Sequence, residues 1–203
     1  MKKLFSFAML FAALSFALVS CKEEDKPATG GETGGTTGGT TEVTIDEANY
    51  AGDLYIKLPM SNMEDDMKEI VMAMENVGWT DEGFNQGAYI FSLEPDFETH
   101  VFNNAFYVPT DGGWIQPVLG LEKGTLTENP EEAAGMLQGI LQSYGVAQPQ
   151  DFKNQMQDPS KYAAAYGGVD SRNVFFLFYV GVEQGASGSE IDVIRGEIYE
   201  YEN

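Results

Sequence analysis

The chain has 203 residues, with 32 Asp or Glu against 11 Lys or Arg, a formal net charge of −21. Its single cysteine excludes an intrachain disulfide framework and cysteine zinc sites of the finger or ribbon type. The acidic balance excludes a nucleic-acid-binding surface, which needs clustered Lys and Arg, and an apolar fraction of 43% argues against wholesale disorder.

The first segment is an address. Met1-Lys2-Lys3 is a short basic start, and Leu4 to Val19 is apolar except for Ser6 and Ser15. These 16 residues are short for a membrane span and suit a secretory signal. The run ends at Leu18-Val19-Ser20-Cys21. This resembles the bacterial lipobox, in which apolar and small residues precede an invariant cysteine. The resemblance implies that residues 1–20 are a signal peptide, removed before Cys21, and that Cys21 is acylated on its thiol and on its new amino group. Each buried methylene contributes about 0.8 kcal/mol, so one acyl chain holds marginally and two or three make a long-lived anchor.

Lys22, Glu23, Glu24 and Asp25 follow the cysteine. A lysine and then acidic residues at this place is similar to the surface-export signal of Bacteroidota lipoproteins. The resemblance implies an outer-membrane lipoprotein exposed on the cell surface, with a periplasm-facing tether as the alternative. Pro27 to Glu42 is dominated by Gly and Thr and holds no large apolar residue, so it reads as flexible coil. Residues 21–42 then form a tether with a root-mean-square reach of about 25 Å.

Val43 to Asn203 is long enough for one domain with a real core. It carries 7 basic and 27 acidic side chains, so the acidity belongs mainly to this part. Asp53 to Leu58 alternates as a strand and stops at Pro59. Ser61 and Glu64 have capping-box spacing. Met63, Met67, Ile70, Val71, Met74 and Val77 then recur at helical spacing up to Gly78, a stripe that reads as core. Gly87 to Leu93 reads as a strand. Val101 to Val108 and Trp114 to Leu121 read as a hairpin around the Asp111-Gly112 turn, with Pro117 making the second arm an edge or a bulged strand.

Asn129-Pro130 opens a second helix whose apolar face runs from Ala133 to Tyr144 and which stops at Gly145. Gly135-x-x-x-Gly139 on this helix would permit a close helix contact. Residues 150–157 and 160–166 read as two further short helices split at Pro159. Asn173 to Val182 reads as a strand covered on both faces, and residues 183–190 as a polar loop. Ile191 to Tyr201 reads as a last strand with a bulge near Gly196. The order predicts an α+β fold, a mostly antiparallel sheet with helices packed on it, in a single acidic domain.

The sequence holds no nucleophile elbow, zinc-protease helix motif, phosphate-binding loop or dinucleotide fingerprint. Glu94, Asp96, Glu98 and His100 alternate and would share one face of an extended strand. Carboxylates and an imidazole suit a divalent cation or an acid–base pair. Residues four apart on a strand are about 13 Å apart, however, so only neighbours would converge unless the segment curls. A polar loop or strand face competes with that site. Trp79 and Trp114 follow glycines and would stack on sugar rings if loop-borne, against a reading as core-edge packing. Arg172 and Arg195, the two arginines, are expected to meet carboxylates.

No cofactor is expected apart from a possible divalent cation. The expected function is a lipid-anchored, non-enzymatic binding or accessory module whose partner is a protein, a peptide or a glycan. A structural component of an outer-membrane complex, and a cation-assisted hydrolase using Glu94 to His100, are the alternatives.

Overall fold

A computed structural model describes residues 43–93, 101–109, 112–185 and 187–201. The expected signal (residues 1–20), Cys21 and the expected tether, as well as Glu94, Asp96, Glu98 and His100, lie outside the described residues. A small hairpin comes first, pairing β1 (Tyr50–Ala51) with β2 (Leu54–Tyr55). Helix α1 (Met63–Asn76) follows, then strands β3 (Thr80–Asn85), β4 (Ala88–Ser92), β5 (Asn104–Val108) and β6 (Trp114–Leu121). Helix α2 (Pro130–Ser143) leads to β7 (Gln150–Asp151), β8 (Tyr162–Val169), β9 (Val174–Gln184) and β10 (Glu190–Glu200).

Strands β3 to β10 form one eight-stranded antiparallel sheet in the order β3-β4-β5-β6-β10-β9-β8-β7. The order is palindromic in topology. Each half is a 14-residue helix followed by a four-strand meander, and the last strands of the two meanders pair at the centre. The molecule is therefore sheet-dominated, with two helices as its α component. Among the described residues no helix is long and apolar enough to cross a membrane.

Both helices contribute to a single buried cluster with one face of the sheet. Met67, Ile70 and Met74 of α1 and Leu137 and Leu141 of α2 join Phe91, Tyr107, Ile115, Phe176, Phe178, Ile194 and Ile198. Burying side chains of this size stabilises by about 1.5–3 kcal/mol each. Polar groups inside the cluster are matched. The Tyr144 hydroxyl donates to Asp53 at 2.9 Å, and the Trp79 ring N–H donates to the Asp53 carbonyl at 2.9 Å. Asp192, fully buried, accepts from the amides of Leu126 and Thr127 at 2.8 and 2.9 Å and from the Thr127 hydroxyl at 2.8 Å. It thereby clamps the loop before α2 onto the sheet.

Several expectations are corrected. Residues 160–166 are not a helix: Tyr162 to Val169 is strand β8, and its small residues let α2 lie close. A Cβ on Gly168 would meet Cγ1 of Val146, just past the end of α2, at 2.6 Å. Residues 150–157 supply a two-residue strand and a single 3-10 turn. β3 is additional: it is almost wholly exposed, so no apolar alternation marks it. Its register slips between Asp81 and Gly83.

Pro117 sits in an interior strand, between β5 and β10. Gly196 makes no bulge, because β10 keeps an unbroken register with β9 from Glu190 to Glu200. Ser61 does not cap α1. Asn62 precedes its first residue, and the Asn62 amide donates to Asp66 Oδ2 at 2.7 Å. Among the described residues nothing lies within 4 Å of a Cβ built on Gly135 or Gly139, so the expected close helix contact is not made there.

The two edges of the sheet are blunted differently. β3 carries exposed Asp81 and Glu82 beside its bulge, and β7 is two residues long. Both are means by which sheets avoid adding foreign strands.

Candidate functional site

The helices occupy one face of the sheet, and the other face carries a second apolar cluster. That cluster is built from Ala88, Phe106 and Val108 with Ile90, Trp114 and Val118 packed against them, all from strands β4 to β6. Successive strand residues point to opposite faces, so the register alone assigns the remaining side chains.

Three rows cross this helix-free face. The first is Val169, Phe175, Tyr199, Trp114 and Val108, each paired with the next across adjacent strands. The second runs from Gly167 through Leu177 to Glu197. The pairing of Arg195 with Val118 and Ile198 with Ile115 sets Glu197 opposite Gln116, which pairs with Phe106. The third is Ala165, Tyr179, Arg195, Val118 and Asn104. The result is an aromatic and aliphatic surface with a polar centre on β10. Most of these side chains are half-buried.

The centre holds opposite charges in different states. Arg195 makes a two-pronged contact with Glu183, Nε to Oε1 at 3.0 Å and a terminal nitrogen to Oε2 at 2.7 Å. Such forks are the stronger form of ion pair. Burial pulls the Arg195 pKa down, but the Glu183 carboxylate outweighs it and the net shift is upward. Glu197 is shifted upward: burial dominates, opposed by the charge of Arg195 and the Tyr179 hydroxyl. Burial, reinforced by the Glu197 charge, pushes Tyr199 up to about 12. The same two causes, in the same order, raise Tyr179 and Tyr162. Glu197 is thus the charge that three tyrosines share.

The first row leads into an open cleft of about 470 Å³ lined by Gln148, Gln150, Phe152, Val169, Phe175 and Tyr201, among others. Phe175 stands at its edge, stacked on Tyr201 at 6.1 Å and tilted against Tyr199 at 5.1 Å. The cleft therefore extends the aromatic row toward the β7 edge.

The residues singled out from sequence separate. Trp79 is 2% exposed and belongs to the helix-side cluster, so it presents no ring face to a ligand. Trp114 lies on the helix-free face, half-buried between Tyr199 and Val108. The two tryptophans are on opposite sides of the sheet and share no platform. Among the described residues no group of three or more His, Cys, Asp or Glu is placed to hold a metal ion. Both arginines meet carboxylates as expected, Arg172 contacting Asp170 at 2.7 Å.

Arg195, Glu197, Tyr179 and Tyr199 carry the centre of the face, and of these the sequence singles out Arg195 alone, as a partner for carboxylates. The signal was present. With Gly196 counted as a core-side residue, Arg195, Glu197 and Tyr199 fall on one side by simple alternation. The arrangement offers apolar contact area, aromatic faces and a few directed polar groups, which is the chemistry of binding. Comparison with protein-family models, curated proteins and solved structures finds no match to this chain.

Proposed function

We propose that the protein is a lipid-anchored, non-enzymatic binding module of the bacterial cell envelope. Cys21 carries the acyl chains, residues 21–42 are the tether, and residues 43–203 form one domain displayed at the outer-membrane surface. The helix-free face of the sheet receives the partner. The observation that carries this reading is the asymmetry of the sheet: two helices bury one face, while the other carries rows of mostly half-buried apolar and aromatic side chains around Arg195, Glu183 and Glu197. Surfaces of this composition, with Trp, Tyr and Arg near the middle, are those that dominate interface energetics.

A photo-crosslinking amino acid at position 116, on the face, and at position 142, on the exposed side of α2, tests it in intact cells. Adducts from position 116 alone are expected. Equal adducts from both positions, or none from 116, overturn the binding face. Anchoring has its own arm: Cys21→Ser is expected to move the protein from the membrane to the soluble fraction. Unchanged partitioning removes the lipid anchor.

A further inference from the structure

We propose that the helix-free face docks a lysine-rich polypeptide segment, with one lysine ammonium seated on Glu197 among the rings of Tyr179, Tyr199 and Trp114. The inference rests on the binding-face reading and names the chemistry of its partner.

Three observations converge on a cation. Arg195, the neighbouring positive charge, directs two donors at Glu183, at 3.0 and 2.7 Å. Glu197, half-buried, therefore has no arginine fork and is met instead by the Tyr179 hydroxyl and the more distant charge of Arg195. The residues around it by register are Leu177, Gln116, Tyr179 and Tyr199, with Trp114 cross-strand from Tyr199. A carboxylate and several ring faces attract the same kind of ligand group, since ring faces are electron-rich. Leu177 and Phe106, flanking this row, suit the methylene stem that carries an ammonium.

The third observation is charge complementarity over distance. The 7 basic and 27 acidic side chains of residues 43–203 leave a net −20. A field of that size draws in basic segments and speeds their encounter. It also opposes the face pairing with a second copy, which would bring two such charges together. A neutral glycan would use the rings and Gln116 but gain nothing from the field.

The test uses the full-length chain purified from membranes in detergent, titrated with tetralysine amide at low salt. Indole fluorescence reports binding, because Trp114 borders the proposed seat. A saturable change is expected. Glu197→Gln is expected to weaken it about tenfold, the scale of one partly desolvated charge pair. Gln116→Lys places a resident cation opposite Glu197 and is expected to abolish it. Gln142→Lys on α2 makes the same charge change far from the face and is expected to shift affinity by no more than about twofold.

Circular dichroism verifies that each variant is folded, and Gln116→Lys keeps the test decisive if Glu197→Gln is not. Equal losses for Gln116→Lys and Gln142→Lys mean diffuse attraction and overturn the seat. A response to chitotetraose in place of tetralysine overturns the basic partner. Crosslinking from position 116 without a tetralysine response removes the basic partner and keeps the binding face. Loss of both removes the two readings together.

Discussion

A Cβ built on Gly196 of β10 would stand 2.7 Å from Cγ of Pro117 on β6. The two residues are complementary. Proline lacks the N–H that an interior strand uses, and the pairing of β6 with β10 is interrupted between Arg195 and Ile198, beside Pro117. The missing side chain on Gly196 leaves room for the proline ring on one side and the Phe178 ring on the other, whose Cδ1 would lie 2.6 Å away. Gly196→Ala is therefore expected to destabilise by roughly 1–3 kcal/mol, the range for overpacking a filled core. Urea denaturation measures it, and an unchanged midpoint would show that the rings yield freely.

Gly135 and Gly139 present the opposite case. Both lie inside α2, and among the described residues a Cβ on either would meet nothing within 4 Å. Alanine is the better helix former by about 1 kcal/mol per site, so Gly135→Ala and Gly139→Ala should each raise stability by that order. Thermal melting of the single and double variants gives the answer. A loss would reveal a partner packed on that helix face.

Asp192 ties the loop before α2 to the sheet. Burial works against its charge, but the amides of Thr127 and Leu126 and the Thr127 hydroxyl outweigh it and hold the pKa below the ordinary 3.8. Asp192→Ala is expected to cost about 3 kcal/mol, because it strips charge-assisted hydrogen bonds and leaves buried donors behind. A depressed carboxyl pKa contributes stability that is present above the unfolded value and lost as pH falls through the folded one. The difference between wild type and Asp192→Ala should therefore be full at neutral pH and shrink below 3.8. A pH-independent difference would remove the ionised carboxylate from the explanation.

Glu197 has the reverse sign. Its folded pKa is raised above the ordinary 4.5, mainly by burial, so the folded state holds the proton more tightly than the unfolded chain. Ionising it costs stability, in full above the folded pKa and not at all well below 4.5. Glu197→Gln should raise the melting temperature near neutral pH, and the gain should fade in acid. A group that weakens the fold when charged is one that a cationic partner relieves. A variant that melts lower than wild type at neutral pH would contradict this.

The fold was legible where burial leaves a pattern. The helical stripe Met67, Ile70 and Met74 and the long apolar strand β9 declare themselves, because their neighbours demand large side chains. β8 did not. Its alanines and glycines are small because α2 and the flanking rings come close, and small residues at that density look helical in isolation. β3 was invisible for a different reason: an exposed edge strand buries nothing and needs no alternation. The candidate site was legible only in part. Trp114 stands out beside its glycine, but Arg195, Glu197 and Tyr199 form a group only with Gly196 in a core position, which fixes the parity of β10. Trp79 looked like Trp114 in sequence, since a glycine before a tryptophan does not say which side of a sheet the ring will take.

The blunted sheet edges acquire a meaning from the proposed anchor. Lipidated copies share a two-dimensional film, where local concentration far exceeds that of the same number free in solution. Under such crowding, any sheet with a long, bare flank would grow laterally into fibrils by strand pairing. Asp81, Glu82 and the slipped register on one flank, and a two-residue strand on the other, work against such pairing.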